Sequence, residues 1–221
     1  MAAQINSCDL DKVSDTMRQQ AKQIVYGVIY GIGDKSLADQ LGVEINEAVR
    51  FMESFKCKYT NVRAFLHECV MKARVSGNVT TLSGRQRHLA DINHNNMARR
   101  AAAERQAVNT RVQGSAADLV KTAMVNIDTK LRETWPSCRP LKWSQARVGT
   151  WPADETRGAW LVLQLHDELI YEVSGEDVLQ VAEIVKSGME TAMKLLVPTP
   201  VRVKVGATWG ELQDFQVDRK T

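Results

Sequence analysis

Apolar residues recur every three to four positions through the first half of the chain, which is the spacing of amphipathic α-helices. The first long helix is predicted to begin at a capping residue, Asp15 or Thr16, and to run to about Tyr30, where Gly31 and Gly33 end it. The helices predicted after it cover residues 35–40, 45–57, 62–75 and 98–131. This half of the chain is therefore predicted to be mainly helical.

The second half of the chain contains the clearest strand patterns. Two apolar strands, 160–165 and 169–173, flank the polar tip His166-Asp167-Glu168. The other elements predicted are strands at 79–82 and 201–205, a helix at 176–195, and loops at 83–96 and 134–158. Helices followed by a strand-containing half predict an α+β fold, with a mainly helical part followed by an antiparallel sheet and packed helices.

Charge is distributed unevenly along the chain. The formal net charge is +3 over 221 residues, a value shared by many proteins that bind no polyanion. Between Gly84 and Lys121, however, seven Arg and Lys residues stand against three acids. Such a local excess suits a phosphate-bearing partner, although a solvated helix face would produce it as well.

The cysteines and the hydropathy profile argue against two classes of protein. No two of the four cysteines are two to four residues apart, so the sequence lacks zinc-site spacing. No run of about 18 apolar residues occurs, and the polar N-terminus is unlike a signal peptide. We therefore expect neither a zinc module nor a membrane partner.

A cationic and aromatic row is predicted on the first long helix. Arg18, Lys22, Tyr26 and Tyr30 are four residues apart, and because each step of four drifts by about 40°, they form one stripe. Two cations one turn apart can hold a triphosphate, Arg through forked hydrogen bonds and Lys as a point charge. An aromatic ring beyond them can lie against a sugar or a base. The alternative is an ordinary amphipathic helix with a basic outer face.

A second polar row is predicted on the helix at 98–131. Arg105, Asn109 and Gln113 are again four residues apart, and Gly114 marks a place where the helix can bend. Donors in such a row can reach sugars and base edges in the DNA minor groove, where the hydrogen-bonding pattern is degenerate. A polar helix face with i,i+4 pairs is the alternative interpretation.

Two carboxylates stand at the predicted hairpin tip. Asp167 and Glu168 lie between two apolar strands, and carboxylate oxygens are the hard ligands that Mg²⁺ prefers. The sequence therefore predicts metal ligands there. A polar turn is the alternative, because turns favour Asp.

Together, and in this order, the three segments resemble the family A DNA polymerases. The segment 18–31 resembles the nucleotide-binding helix of the fingers, 104–118 resembles the second long palm helix, and 165–168 resembles the third catalytic motif. The resemblance covers residues 2–216. Within the family it is greatest for the eukaryotic theta-type polymerases, with the nu-type as the next candidate.

The resemblance implies two subdomains and template-directed DNA synthesis. Residues 1–93 would be the fingers, with the nucleotide-binding helix at 16–30, and residues 94–221 would be the C-terminal part of the palm, with an inserted loop at 134–158. The family also uses a second catalytic aspartate, on a palm strand that would precede Met1, and a thumb. The chain alone is therefore expected to be inactive.

The resemblance also implies a role for each candidate residue. Incoming deoxynucleoside triphosphate would be bound by Arg18, Lys22, Tyr26 and Tyr30. Primer–template DNA would be contacted by Arg87, Arg105, Asn109, Gln113 and His166. Asp167 and Glu168 would be catalytic and would bind Mg²⁺, two ions in the complete enzyme, while Lys22 would meet the charge that develops on the phosphates.

The implied setting is DNA repair or replication, including double-strand break repair, in the nucleus. One alternative is a non-catalytic nucleic-acid-binding module that retains the polymerase fold. Another is a helical scaffold without a polyanion ligand. Salt-dependent DNA binding would separate the scaffold from the other two.

Overall fold

The computed structural model describes residues 2–5, 8–136 and 157–217, and most of the predicted loop at 134–158 lies outside them. These residues form two units, Met1–Gly114 and Ser115–Thr221. The α+β class is confirmed, because helices dominate and the strands form small antiparallel pairs. No helix in the described ranges is long and apolar enough to cross a membrane.

The first unit begins with five α-helices. Four of them were predicted, with ends that differ by one or two residues, whereas the short first helix was not. They are α1 (Ala2–Ile5), α2 (Asp15–Ile29), α3 (Asp34–Leu41), α4 (Ile45–Lys58) and α5 (Thr60–Ser76).

Helix α2 is fixed by a cap and by one apolar face. The cap is Ser14, whose Oγ accepts a hydrogen bond from the backbone N–H of Met17 at 3.2 Å. The prediction of Asp15 or Thr16 as the cap was therefore wrong. The apolar face of α2 packs with α3 and α4 in a core whose buried members are Ile24, Val28, Leu37, Ala38, Ala48, Met52 and Phe55.

A short hairpin follows α5. Strand β1 (Asn78–Thr80) lies where a strand was predicted, but β2 (Gln86–His88) falls in the segment 83–96 that was predicted to be a loop. All residues of β2 are exposed, so no apolar alternation marks this strand. The buried cluster of this region comprises Ala73, Val79, Leu89, Ile92, Ala103 and Ala107.

The helix predicted at 98–131 is interrupted. Helix α6 (Met97–Asn109) is capped by Asn96, whose Oδ1 accepts hydrogen bonds from two backbone N–H groups. A π-helical turn, Thr110–Gly114, follows it and leads into α7 (Ser115–Thr134). The irregularity expected near Gly114 is this turn, in which hydrogen bonds span five residues instead of four.

The second unit packs a strand pair with two helices. Strands β3 (Ala159–Leu165) and β4 (Glu168–Val173) are antiparallel and pack with α7 and α8 (Val178–Glu190). A second pair, β5 (Val203–Val205) and β6 (Gln213–Phe215), lies near the C-terminus. Helix α8 is shorter than the helix predicted at 176–195. Strand β6 was not predicted. The core residues are Ala123, Ile127, Leu131, Ala159 and Val181.

Asp177 joins three parts of the second unit. Its side chain is 1% exposed and accepts hydrogen bonds from Nη2 of Arg157 at 2.6 Å and from the backbone N–H of Gly158 at 2.8 Å. The side chain of Trp135, just beyond α7, also hydrogen-bonds to it. Mainly through the bond from Arg157, the pKa of Asp177 is held below its ordinary value.

Candidate active site and nucleic-acid interface

The α2 row faces solvent as the sequence predicted. Arg18, Lys22 and Tyr26 are exposed, and Tyr30 is half-buried. The rings of Tyr26 and Tyr30 are tilted by 34°, with centroids 6.3 Å apart. No carboxylate in the described part of the chain forms an ion pair with Arg18 or Lys22. Both cations are therefore available to an anionic ligand.

The end of α2 lies against the second row. Gly31 follows the helix with a φ of 80°, a conformation that glycine adopts without steric cost. A Cβ atom at Gly31 would lie 2.9 Å from Cγ of Arg105, so the aliphatic part of the Arg105 side chain lies against the backbone at this glycine. The structure thus brings together the predicted nucleotide-binding helix and the first member of the predicted DNA-binding row.

The second row has a mixed environment. Arg105 and Gln113 are exposed, whereas Asn109 is half-buried. Oδ1 of Asn109 is buried and accepts no hydrogen bond from the described residues. A buried acceptor without a donor costs free energy, about 1–3 kcal/mol, and such groups are uncommon in folded proteins. A donor from water or from a bound ligand would satisfy this oxygen.

Arg87 lies beside the π-helical turn. Its Nη1 donates a hydrogen bond to Oγ1 of Thr110 at 3.2 Å, and the rest of the side chain is exposed. One guanidinium nitrogen is thus engaged within the protein. Its role as a DNA contact stays a prediction.

The hairpin tip is a two-residue turn, His166-Asp167, between β3 and β4. Among the described residues other than glycine, only His166 has a positive φ, 55°. This sign is needed at the first central residue of the tight turns that match strand twist. Nε2 of Gln164 donates a hydrogen bond to the carbonyl oxygen of His166 at 2.6 Å, which steadies the turn. His166, Asp167 and Glu168 are all exposed.

The two carboxylates at the hairpin tip have the chemistry to bind a divalent cation, but they provide only part of a metal site. Asp167 and Glu168 offer hard oxygen ligands, the type that Mg²⁺ binds. Within the described ranges, no group of three or more His, Cys, Asp or Glu residues is arranged to hold a metal ion. A complete coordination sphere would need further ligands from water, nucleotide or another segment.

The sequence interpretation missed the arginines that hold the π-helical turn. Nη1 of Arg111 donates to the carbonyl oxygen of Thr80 at 2.7 Å, and Nη2 of Arg85 donates to that of Gly114 at 3.1 Å. The only signal in the sequence is the excess of arginine between Gly84 and Lys121, which by itself suggests a phosphate-bearing partner.

Comparison with known proteins decides the family. The family model described as DNA polymerase family A matches residues 1–211. The chain belongs to the family A DNA polymerases. Its relatives include DNA polymerase theta of Mus musculus, 47% identical over 229 residues that cover 98% of this chain and 9% of the relative. DNA polymerase theta of Drosophila melanogaster is 34% identical, over 98% of this chain and 10% of the relative.

Bacterial relatives of this polymerase chain show the same resemblance. DNA polymerase I of Bacillus caldotenax is 37% identical over 90% of this chain and 20% of its own length. A solved structure, the POL domain of Pol1 from M. smegmatis in complex with DNA primer–template and dNTP, is 33% identical with a TM-score of 0.75, covering 89% of this chain and 31% of that one. The polymerase chain thus spans between 9% and 20% of the length of these three curated relatives.

Proposed function

We propose that this chain carries the nucleotide-binding helix, a DNA-contacting row and a metal-binding hairpin of a polymerase that adds deoxynucleotides to a primer. The observation that carries the proposal is the contact between the Arg105 side chain of α6 and Gly31, just after α2, which itself presents the exposed Arg18 and Lys22. The solved relative that binds DNA primer–template and dNTP supports both classes of partner.

In the proposed reaction, the primer 3′-hydroxyl oxygen attacks the α-phosphorus of the incoming nucleotide. The bond from the α-phosphorus to the oxygen bridging to the β-phosphate breaks as the new bond forms, pyrophosphate leaves, and the hydroxyl proton is released to solvent. Arg18 and Lys22 hold the triphosphate, and Lys22 also meets the negative charge that grows on the leaving phosphates. Tyr26 lies against the sugar, and Tyr30 stands at the templating position.

The remaining residues position DNA and metal. Arg105, Asn109 and Gln113 contact template and primer, Arg87 contacts the DNA beside them, and His166 lies near the primer terminus. Asp167, supported by Glu168, holds Mg²⁺, with two ions in the complete enzyme. When bound, the ions supply charge that stabilises the attacking and leaving oxygens.

The proposed setting is repair or replication of nuclear DNA, including double-strand break repair. Its support is the similarity to theta polymerases of two animals. A second candidate is a nucleic-acid-binding module without catalysis, which the partial metal site of the described residues favours.

A chimera tests the catalytic proposal. This chain would replace the matching segment of mouse DNA polymerase theta, and single-nucleotide primer extension would be measured. Lys22→Ala should raise the nucleotide KM and lower kcat, together reducing kcat/KM about 10- to 100-fold, because charge is lost from both the bound and the developing state. Lys35→Ala, which removes an exposed lysine from the adjacent helix α3, is the matched control and should change little.

The outcomes separate the two candidates. If the chimera binds primer–template but extends nothing, the non-catalytic module is favoured. If it extends primers and Lys22→Ala has no effect on kcat/KM, the α2 row is a solvated helix face and not a triphosphate site.

A further inference from the structure

The π-helical turn lies within the row proposed to contact DNA. Arg105 and Asn109 belong to α6, whereas Gln113 lies inside the turn. In a continuous α-helix, each step of four residues drifts by about 40°. A π-turn contains more residues per turn, so the step from Asn109 to Gln113 removes part of that drift. The turn therefore brings Gln113 back toward the line of Arg105 and Asn109.

Three arginines connect the turn with the β1–β2 hairpin. Arg111 reaches from the turn to the backbone oxygen of Thr80 in β1 at 2.7 Å. In the opposite direction, Arg85 reaches the oxygen of Gly114 at 3.1 Å, and Arg87 reaches Thr110 Oγ1 at 3.2 Å. Both ends of the turn and its second residue thus take part in side-chain hydrogen bonds to the hairpin region. π-Helical turns are rare and are frequently found at functional sites, and these contacts provide a physical reason for this one.

The hairpin is also in close contact with the turn. A Cβ atom at Gly114 would lie 2.9 Å from Cγ2 of Thr81 and 3.3 Å from Nη2 of Arg85. Arg111 itself is half-buried, and its Nη1 is engaged by the oxygen of Thr80. It also lies near α5, where the pKa of Glu68 is lowered first by Lys72 and to a smaller extent by Arg111.

We infer that Arg111 is a positioning residue for the DNA-contacting row. By anchoring the π-helical turn to β1, it sets where Gln113 stands relative to Arg105 and Asn109. Arg85 holds the far end of the same turn. This inference rests on the proposed function, because it requires the row to contact primer–template DNA.

The test measures how tightly the chain binds a fluorescent primer–template at several salt concentrations, with a thermal melt of each variant. Arg111→Met keeps the aliphatic stem and removes the donors. It should weaken binding about fivefold, the usual size of one hydrogen bond, and leave the slope of log affinity against log salt unchanged. Arg111→Lys, which keeps a donor for Thr80, should recover part of the loss. Arg100→Met is the control, because Arg100 also reaches a carbonyl, that of His94, but away from the turn.

A double-mutant cycle shows whether Arg111 acts through Gln113. In a Gln113→Ala background, Arg111→Met should have no further effect on binding, because coupled residues are not additive. Two results would show that Arg111 itself contacts DNA and would overturn the inference. One is a fully additive loss of affinity in the double variant, and the other is a salt slope smaller by about one, the change expected when one phosphate contact is lost. Unchanged binding by Arg111→Met with only a lower melting temperature would overturn the inference as well.

Failure of the proposed DNA-binding function would give different results in the same binding measurements from failure of the positioning role. If Arg105→Ala and Gln113→Ala both bind as tightly as the unmodified chain, or if the unmodified chain does not bind primer–template at all, the row is not a DNA interface. The positioning role then falls with it. If those two variants bind weakly and Arg111→Met does not, only the positioning role is wrong.

Discussion

Tyr26 differs from Arg18 and Lys22 of the same row because it offers a ring and a hydroxyl where they offer charge. The side chain is 55% exposed, and its ring leans toward that of Tyr30. An exposed phenol next to two uncommitted cations is suited to a ligand with a sugar next to phosphates. Its hydroxyl can then replace a hydrogen bond that a sugar hydroxyl would otherwise make.

We expect Tyr26→Phe to make the enzyme reject dideoxynucleotides more strongly. With Tyr26, a nucleotide that lacks the 3′-hydroxyl leaves less polar surface unsatisfied. Loss of the phenol should increase discrimination roughly tenfold, since an unmade hydrogen bond costs about 1–3 kcal/mol. Competition between a deoxy- and a dideoxynucleotide at one template position, measured in the theta chimera, checks this.

Tyr59→Phe is the matched control for that substitution. Tyr59 is half-buried at the junction of α4 and α5, with its ring centroid 4.8 Å from that of Phe55. It should leave discrimination unchanged. Equal discrimination by the unmodified chimera and its Tyr26→Phe variant would mean that position 26 does not face the sugar.

Among the elements, those with one buried face could be predicted from the sequence. Helix α2 follows its apolar residues at positions 21, 24 and 28, which are all buried. Strand β2 could not be predicted in this way, because Gln86, Arg87 and His88 are all exposed and its pairing depends on β1. The C-terminal end of α8 was also misplaced, because apolar residues continue in sequence beyond Glu190 although the helix does not.

In the candidate site, too, features set within one element could be predicted from the sequence, and contacts between distant segments could not. The α2 row was predicted, because its spacing lies within one helix. The contact of Gly31 with Arg105 joins residues far apart in sequence, and no local pattern encodes it. The π-helical turn was equally hidden, because it depends on hydrogen bonds from a hairpin about 30 residues earlier in the chain.

Asp177 should make the second unit sensitive to acid. Its pKa is lowered, chiefly by Arg157, so its contribution to stability is complete above the ordinary carboxyl pKa of about 3.9 and is lost as the pH falls through its lower folded-state value. Asp177→Asn should lower the melting temperature at pH 7 by roughly 3–8 °C. The difference from the unmodified chain should shrink as the pH falls below that ordinary value.

Asp128→Asn is the control for this effect. Asp128 pairs with Arg132 at 2.7 Å on the surface of the same unit, where both side chains are more than half exposed. Such pairs contribute at most about 1 kcal/mol, so its melting temperature should change little at any pH. An equal shift for the two variants would show that burial of Asp177 adds nothing.

For the whole molecule, the two units contribute different parts of the proposed reaction. The rows proposed to bind triphosphate and DNA lie in Met1–Gly114, and the carboxylates proposed to bind metal lie in Ser115–Thr221. Strand β3 leaves Leu161, Leu163 and Leu165 each 39% exposed, and among the described residues it pairs only with β4. The exposed apolar side chains and the free edge of such a strand are suited to packing against another protein segment.

A polypeptide of residues 1–221 produced by itself should therefore bind primer–template DNA but extend no primer. Binding needs cations and donors, which the first unit presents on its surface. The two Mg²⁺ ions of the proposed reaction would need more oxygen ligands than Asp167 and Glu168 supply. Primer extension with Mg²⁺ at increasing protein concentration is the measurement, with the theta chimera as the positive control. Extension by the chain alone that disappears in Asp167→Ala would show that its own carboxylates complete the metal site.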